Sequence, residues 1–321
     1  MKFDLVCLGH VLYDIRCYVD NFPLPDKLNI MAGRLKHSGG GSAANVAVNS
    51  ARLGLKTGMI GKVGFDEYGW FVVQNLRSSE VNTDHILVDF KNPTGVSLII
   101  INGKGVPEFI QMIGASEPIL PKEIQEEYIC RARHLHMSGI NLEAMTNASQ
   151  IAKDSGVTVS FDSGRKKSEL GFKKLKPVLK NVDILIINRY ESRVMLGLEA
   201  NAKTLDIAQI MRKKLGKDKT FVIKGGKENI LACSPSGDFV VPSFKVAVKD
   251  TIGAGDAFEA GFLAALLKGK TLEDAVVYGA ACGSLKCIKE GAQSAPDRST
   301  LEMFLKENRD YVDIWNLQHS K

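Results

Sequence analysis

The sequence predicts an α/β fold in which a mostly parallel central sheet lies between two layers of helices. The first observation is a regular alternation of short apolar runs and longer amphipathic segments from Pro121 onward. Strands that alternate with helices form a parallel sheet covered on both faces. The second observation is a composition of 45% hydrophobic and 24% charged residues over 321 positions, which provides for a large buried core. We therefore expect a single domain over residues 1–321.

The elements of this domain follow from the spacing of apolar residues and from the turn residues between them. Strands of the central sheet are predicted at 2–8, 57–60, 134–137, 157–161, 184–187 and 221–223, with a hairpin at 230–241. Helices are predicted at 42–53, 68–77, 122–131, 142–154, 172–180, 204–215, 256–268, 272–288 and 298–307.

Two segments near the N-terminus leave the alternating pattern and predict a small β insertion. Residues 11–37 are irregular, with alternating residues near 28–35. Residues 92–113 contain two strand-like runs around the turn Asn102-Gly-Lys-Gly105, a hairpin signature.

Composition and charge exclude several classes of protein. No stretch approaches the ~18 consecutive apolar residues of a membrane span, and the N-terminal residues do not resemble an export signal. The 42 basic and 36 acidic residues are interspersed and only 7% of residues are aromatic, which disfavours a nucleic-acid surface. The six cysteines include no C-x-x-C pair. We expect reduced thiols, a cytoplasmic location, and small-molecule partners rather than nucleic acid or membrane.

The segment Asp250-Thr-Ile-Gly-Ala-Gly-Asp256 carries the strongest chemical signal. Gly253, Ala254 and Gly255 directly precede a run of good helix formers. A glycine-rich turn that opens a helix directs unpaired N–H groups and the positive end of the helix dipole at one point, which favours an anion. Asp256, in the first turn, could accept a proton from a hydroxyl beside that anion. Taken alone, the motif favours the simpler interpretation that Asp256 is a helix cap.

A second glycine-rich segment lies at residues 38–54, where Gly40 and Gly41 precede Asn45 and a predicted helix. Glycines let a polyol approach the main chain, and an amide both donates and accepts hydrogen bonds. The same segment satisfies G-x-G-x-x-A at 39–44. A nicotinamide-binding site is disfavoured, because that motif should directly follow a strand and here lies some thirty residues beyond the first one. The chain has no G-x-x-x-x-G-K-[ST] loop, which excludes a P-loop kinase.

Both segments resemble signatures of the ribokinase (PfkB-type) family of sugar and nucleoside kinases. The resemblance implies a ribokinase-like fold with a small β-sheet lid, here formed by the insertions at 11–37 and 92–113, and a homodimer paired through that lid. It implies that Asp256 is the catalytic base and that Gly253, Ala254 and Gly255 form the anion hole. The sugar-binding positions of the family map onto Asp14, Gly40, Gly41 and Asn45.

The resemblance also places ATP and Mg²⁺. Asn188 and Glu191 match the family's N-x-x-E, which organises Mg²⁺ and phosphates largely through water. The remaining nucleotide-binding positions map onto Lys224, Gly226, Asn229, Thr251 and Gly291.

A potassium site is left open by the sequence. Members of the family that are activated by K⁺ use a site resembling Asp250 with carbonyls from Ile252 and Gly291 and a later serine. That serine position holds Ala295 in this chain.

The expected activity is transfer of the γ-phosphoryl group of ATP to a hydroxymethyl group of a sugar. Ribokinases proper carry Asn, Lys and Glu at three positions that here hold Leu12, Ser42 and the segment ending at Asn141, which argues against free ribose. A nucleoside and a phosphorylated pentose remain open as acceptors, and so does a non-catalytic sugar- or nucleotide-binding protein. Arg165-Lys-Lys167 could meet an anionic substrate, but a solvated basic turn is the favoured interpretation. His134 and His136 share one strand face, where packing is favoured over a metal site.

Overall fold

The computed structural model describes residues 2–23, 31–308 and 314–317. The strands in these ranges are β1 Phe3–Gly9, β2 Leu12–Tyr18, β3 Arg34–Gly40, β4 Thr57–Gly64, β5 Asn82–Asp89, β6 Gly95–Ile101, β7 Pro107–Met112, β8 Ala132–Ser138, β9 Thr158–Asp162, β10 Ile184–Asn188, β11 Thr220–Lys224, β12 Ile230–Ser234, β13 Gly237–Val241 and β14 Trp315–Leu317. The α-helices are α1 Ser42–Arg52, α2 Glu67–Ser78, α3 Glu126–Cys130, α4 Leu142–Asp154, α5 Gly164–Ser168, α6 Gly171–Leu179, α7 Arg189–Leu196, α8 Thr204–Leu215, α9 Ala254–Leu267, α10 Leu272–Cys287 and α11 Arg298–Glu307.

Ten of the described strands form one sheet in the order β14-β13-β12-β11-β10-β9-β8-β1-β4-β5. The strands from β11 to β5 in this order pair in parallel, whereas β12, β13 and β14 extend the sheet antiparallel. The predicted α/β class with a mostly parallel sheet is confirmed. No helix in the described ranges is long and apolar enough to cross a membrane.

Side chains of the central strands alternate between two cores, one on each face of the sheet. On β1, Leu5 and Cys7 belong to a cluster that includes α1, α9 and α10, whereas Val6 and Leu8 belong to a cluster that includes α4, α6 and α8. All four side chains are fully buried. This is why the parallel strands read as continuous apolar runs rather than as alternating ones.

The insertions form a separate four-stranded sheet in the order β3-β2-β6-β7, which we call the lid sheet. β2 pairs with β3 antiparallel and with β6 in parallel, so the two insertions meet in one sheet. The alternation expected near 28–35 lies partly outside the described residues, while β3 continues through Gly40 into the loop before α1.

Outside the lid sheet, the prediction lacked β5, α5, α7 and β14, and within it β2 occupies residues that were predicted to be irregular. The predicted helix at 122–131 is wrong in its first half. Residues Pro121–Glu123 form one 3₁₀ turn and α3 begins only at Glu126. The Glu123 carboxylate accepts hydrogen bonds from Lys62 Nζ at 2.7 Å and from the Leu120 N–H at 2.7 Å, and these contacts hold the chain in the tighter turn.

Candidate active site

The carboxyl ends of the parallel strands meet at one edge of the large sheet, where α/β proteins bind their ligands. Asp162, Asn188 and Lys224 are the last residues of β9, β10 and β11, which are neighbours in the sheet. α9 begins over the same edge, because Lys224 Nζ lies 3.3 Å from the position of a Cβ built on Gly255. Residues far apart in the chain therefore converge on the first turn of α9.

The first turn of α9 depends on a glycine at its N-cap. Gly253 has a φ of 80°, and a Cβ there would lie 2.6 Å from the Ala292 Cα. Any side chain would be strained by the backbone angle and blocked by the neighbouring loop. The N-terminal N–H groups of this 14-residue helix have no side-chain cap, so they can hold an anion.

Asp256 does not cap α9, so the capping interpretation is wrong. Its carboxylate accepts hydrogen bonds from Ser42 Oγ at 2.6 Å and from Asn45 Nδ2 at 2.7 Å. Gln293 Nε2 donates to Asn45 Oδ1 at 3.1 Å, which fixes the amide so that its NH₂ group faces the carboxylate. Burial raises the pKa of Asp256 above its ordinary value, and the two donors oppose that rise. The group is half-buried at the wall of a cavity and positioned to take a proton.

One cavity of about 600 Å³ lies between this turn and the lid sheet. Asp14, Gly41, Asn45, Gly253 and Asp256 line it, together with lid residues that include Ser97, Phe109 and Gln111. The Asp14 side chain packs directly on Gly40, since a Cβ on that glycine would lie 2.1 Å from Asp14 Oδ1. Burial raises the pKa of Asp14 to about 7, although nearby Arg16 opposes the rise. The cavity is large enough for a sugar, and the carboxylates of Asp14 and Asp256 both line it.

A basic segment lines the same cavity. Arg165, Lys166 and Lys167 of α5 are among its lining residues, as are His10 and Glu117. Lys167 Nζ and His10 Nε2 each contact the Glu117 carboxylate, at 2.8 and 3.0 Å. Arg165 and Lys166 are exposed and form no ion pair within the described residues. The Arg165 guanidinium lies over the Tyr190 ring, 4.9 Å from its centroid. Arg165 and Lys166 therefore add positive charge to a cavity that the carboxylates of Asp14, Glu117 and Asp256 also line.

A second cavity of about 710 Å³ lies on the other side of the α9 turn. Its polar walls come from the predicted nucleotide-binding residues Asn188, Lys224, Gly226, Asn229 and Thr251. Apolar side chains, including Phe244, Val248 and Phe258, form the rest. Gly253 and Asp256 line the first cavity, whereas Ala254 and Gly255 line the second. The N-terminus of α9 is thus the boundary between the two.

Lys224 is held behind the turn by two buried carboxylates. Its Nζ donates to Asp162 Oδ2 at 3.1 Å and to Glu259 Oε1, and His136 Nε2 lies 3.3 Å from Glu259 Oε2. Burial would raise the pKa of Asp162, but the Lys224 ammonium outweighs it and lowers that pKa to about 2. Burial also raises the pKa of Glu259 well above its usual range. His134 and His136 both contact Ser160 Oγ, so they belong to this packed network.

Glu191 forms a capping box with Asn188 at the start of α7. The Glu191 N–H donates to Asn188 Oδ1 at 2.8 Å, and the Asn188 N–H donates to Glu191 Oε2 at 3.1 Å. Burial and the nearby Asp162 raise the pKa of Glu191 to about 7. The described residues contain no group of three or more potential His, Cys, Asp or Glu ligands. The donor set fits an ion that keeps its waters, as Mg²⁺ does, rather than one caged by protein.

The residues around Asp250 do not fit a bound monovalent metal ion. Arg16 Nη1 donates to Asp250 Oδ2 at 2.6 Å, and Lys286 Nζ lies 3.5 Å from the same oxygen. The Gly291 N–H also donates to that oxygen, at 2.8 Å. Gly291, a predicted nucleotide-binding residue, therefore contacts the Asp250 side chain and does not line the second cavity.

Sequence reasoning missed five functional candidates: Arg16, Ser42, Asp162, Glu259 and Lys286. Two of them had a usable signal. Asp162 directly follows a predicted strand, and Arg16 lies two residues after Asp14, on the same face of a strand. The other three become meaningful only when α1, α9 and α10 are packed together, since their partners lie far away in the chain.

Comparison with known proteins agrees with this arrangement. A family model described as "pfkB family carbohydrate kinase" matches residues 2–298. The chain is 34% identical over 303 residues to the ATP-dependent ribose-1-phosphate kinase of Halopiger xanaduensis, covering 94% of this chain and 98% of that protein. It is 28% identical to the 5-dehydro-2-deoxygluconokinase of Geobacillus kaustophilus, covering 96% and 95%.

Solved structures give the same result for the fold. Arabidopsis thaliana ribokinase complexed with ribose and ATP superposes with a TM-score of 0.84 at 26% identity, covering 95% of this chain and 99% of that one. The nucleoside kinase of Methanocaldococcus jannaschii superposes with a TM-score of 0.79 at 22% identity, with the same coverage of both chains.

Proposed function

The chain belongs to the PfkB family of carbohydrate kinases, and we propose that its acceptor is a small sugar carrying an anionic group, best matched by a phosphorylated pentose. The observation that carries this proposal is the basic segment in the lining of the acceptor cavity, where Arg165 and Lys166 form no ion pair within the described residues. Guanidinium and ammonium groups are the usual partners of phosphate. The relative at 34% identity is named for a phosphorylated ribose, and the one at 28% for a gluconate, which also carries an anion.

The proposed reaction transfers the γ-phosphoryl group of ATP to a hydroxymethyl oxygen of the sugar. Asp256 removes the proton as that oxygen attacks phosphorus, and ADP leaves with the electron pair of the broken P–O bond. The N–H groups of Gly253 and Gly255 neutralise the transferred phosphoryl, with Lys224 behind the turn. The N–H of Ala254, also predicted for the anion hole, donates to the Thr251 carbonyl at 3.1 Å. Asp14, Gly41 and Asn45 hold the acceptor, so that the reacting atoms are correctly placed. Gly40 does not line the cavity and contributes by letting the Asp14 carboxylate pack against it.

The nucleotide occupies the second cavity in this proposal. The predicted contacts are Asn188, Glu191, Lys224, Gly226, Asn229, Thr251 and Gly291, of which five line that cavity. Mg²⁺ would be held by Glu191 through water and would neutralise phosphate charge. Glu191 fits this role because only its Oε2 is used by the capping box with Asn188.

A coupled assay across acceptors tests the proposal. We expect ATP-dependent turnover with ribose 1-phosphate to exceed that with ribose by roughly 10²-fold in kcat/KM, since charge-assisted hydrogen bonds contribute ~1.5–3 kcal/mol each. The Arg165→Gln/Lys166→Gln variant should lose most of this preference through a higher KM for the phosphorylated acceptor. Turnover with ribose should stay near that of the parent protein.

Lys173→Gln/Lys174→Gln is the matched control, because these neighbouring lysines lie on α6 and do not line the cavity. A nucleoside or ribose preferred over every anionic sugar would contradict the anionic acceptor while leaving the kinase intact. A preference for 5-dehydro-2-deoxygluconate would support an anionic acceptor but contradict the phosphorylated pentose, because the anion would then be a carboxylate.

We further propose that two copies of the chain pair through the outer face of the lid sheet, in the cytoplasm. Ser97 and Gln111 face the acceptor cavity, so their strand neighbours Leu98, Ile110 and Met112 lie on the opposite face. Ile110 is 62% exposed and Met112 is 48% exposed. An apolar sheet face of this kind is usually covered by a partner.

The Ile110→Glu variant should be monomeric by light scattering at concentrations where the parent protein is a dimer. Its thermal midpoint should match that of the parent protein at concentrations where both are monomeric, because the Ile110 side chain is 62% exposed within one chain. A parent protein that is monomeric at high concentration would contradict the proposed pairing.

A further inference from the structure

We propose that two internal side-chain cations, Arg16 and Lys286, replace a monovalent metal ion at Asp250, so that the kinase needs no potassium. In this role they are positioning residues for the turn at 250–255. The inference rests on the proposed phosphoryl transfer, because that turn is its anion-binding element.

The Asp250 carboxylate is already neutralised by protein groups. Its Oδ2 accepts from Arg16 Nη1 at 2.6 Å, and Lys286 Nζ lies 3.5 Å away. Lys286 Nζ also donates to the backbone carbonyl of Asp250 at 2.7 Å. The Arg16 side chain is 2% exposed and the Lys286 side chain 0%, so solvent screens neither charge.

Two of the other oxygens that a metal ion would need are engaged or missing. The carbonyl of Gly291 accepts from Ser294 Oγ at 2.6 Å. Residue 295 is alanine and offers no hydroxyl. The buried Nε and Nη2 of Arg16 have no hydrogen-bond acceptor within the described residues, so they present positive ends to the same region. A K⁺ ion here would meet two cations and compete for one carboxylate.

The contacts of Asp250 connect the internal cations to the catalytic turn. Asp250 Oδ1 accepts from the Ile252 N–H at 2.9 Å, which fixes the backbone just before Gly253. Arg16 enters from the lid sheet and Lys286 from α10, so three parts of the fold are joined at this carboxylate. One carboxylate with two cations leaves a net positive charge beneath the anion-binding turn, which is the sign required there.

Potassium dependence of two proteins tests the proposal. The parent enzyme, assayed with Tris-ATP and MgCl₂, should change less than about 2-fold in kcat between 100 mM tetramethylammonium chloride and 100 mM KCl. Lys286→Ser should lose about 10-fold or more in kcat without K⁺ and regain much of it with K⁺, since one buried charged contact is removed and an ion can enter. The acceptor KM should move little.

A readout independent of turnover accompanies this assay. KCl, compared with tetramethylammonium chloride, should raise the thermal midpoint of Lys286→Ser but not that of the parent protein, because an ion that binds only the folded state stabilises it. Lys286→Arg should keep most of the activity without K⁺. Lys289→Ser is the matched control, an exposed lysine three residues along whose side chain contacts none of these groups.

Three results would overturn the proposal. The first is a parent enzyme activated about 5-fold or more by K⁺, which needs no variant and holds even if Lys286→Ser fails to fold. The second is a Lys286→Ser enzyme as active as the parent without K⁺. The third is a loss of activity in Lys286→Ser that K⁺ does not restore, which would make Lys286 a purely structural residue. A kinase inactive on every acceptor would instead count against the proposed function.

Discussion

The Asp256→Asn variant should retain its affinity for ATP and lose roughly 10²–10⁴-fold in kcat, the usual contribution of a general base. Asparagine keeps the shape of the side chain and can still accept from Ser42 Oγ, so the fold and both cavities should survive. It cannot take a proton from the attacking hydroxyl. Single-turnover kinetics and ATP titration by calorimetry, on the same preparation, separate the chemical step from binding.

The pH profile gives a second readout of the same group. Burial raises the pKa of the Asp256 carboxyl, and the base must be deprotonated to work. Activity of the parent enzyme should therefore fall with decreasing pH at values above those of an ordinary carboxyl. The variant should lose the contribution of Asp256 to this limb and keep that of Asp14 and Glu191, whose pKa values burial raises to about 7.

Asp274→Asn is the matched control for a general helix effect. Asp274 lies in the first turn of α10, as Asp256 does in α9, and outside both cavities. Equal losses in the two variants would assign the effect of Asp256 to helix electrostatics. Turnover near the parent level in Asp256→Asn would remove Asp256 as the base.

Residues next to each other in the chain made much of the fold and part of the site predictable. The parallel strands are continuous apolar runs, and Gly253 to Asp256 form one contiguous motif. Asp162, Asn188 and Lys224 each end a strand, so their convergence follows from a parallel sheet alone. The short α7 and the edge strand β5 were missed because their residues are too polar or too few to give a period.

The electrostatics of the site could not be predicted, because they depend on contacts between distant segments. Asp250 matched a metal-binding position in the sequence, and only the packing of β2 and α10 brings Arg16 and Lys286 to it. Glu259 reads as an ordinary residue of a helix. The structure buries it completely and places it against Lys224, 35 residues earlier.

The Lys224→Met variant should lose about 3–5 kcal/mol of unfolding free energy, the cost of leaving a buried charge without its partner. Methionine fills a similar volume, so the loss reports charge rather than a cavity. Asp162 and Glu259 would both lie buried without the ammonium that now joins them. Urea unfolding followed by circular dichroism measures the change, and Lys217→Met, at an exposed lysine before β11, is the control.

The loss of unfolding free energy in Lys224→Met should grow with pH, because the folded pKa values of the buried carboxylates change when the ammonium is removed. In the parent protein the folded pKa of Asp162 is about 2, so its contribution is present above the unfolded pKa and is lost only as pH falls toward 2. Without Lys224, burial dominates at Asp162, so its folded pKa rises above the unfolded value, and the folded pKa of Glu259, which burial already raises, rises further. A protein with such groups loses stability as pH rises, so the difference in unfolding free energy between variant and parent should be larger at pH 8 than at pH 5.

Adding Glu259→Gln to the variant should recover part of the loss of unfolding free energy, because one buried carboxylate no longer has to ionise or hold a proton. A destabilisation that is independent of pH, or a double variant no more stable than the single one, would mean that the three groups are not coupled as their contacts require.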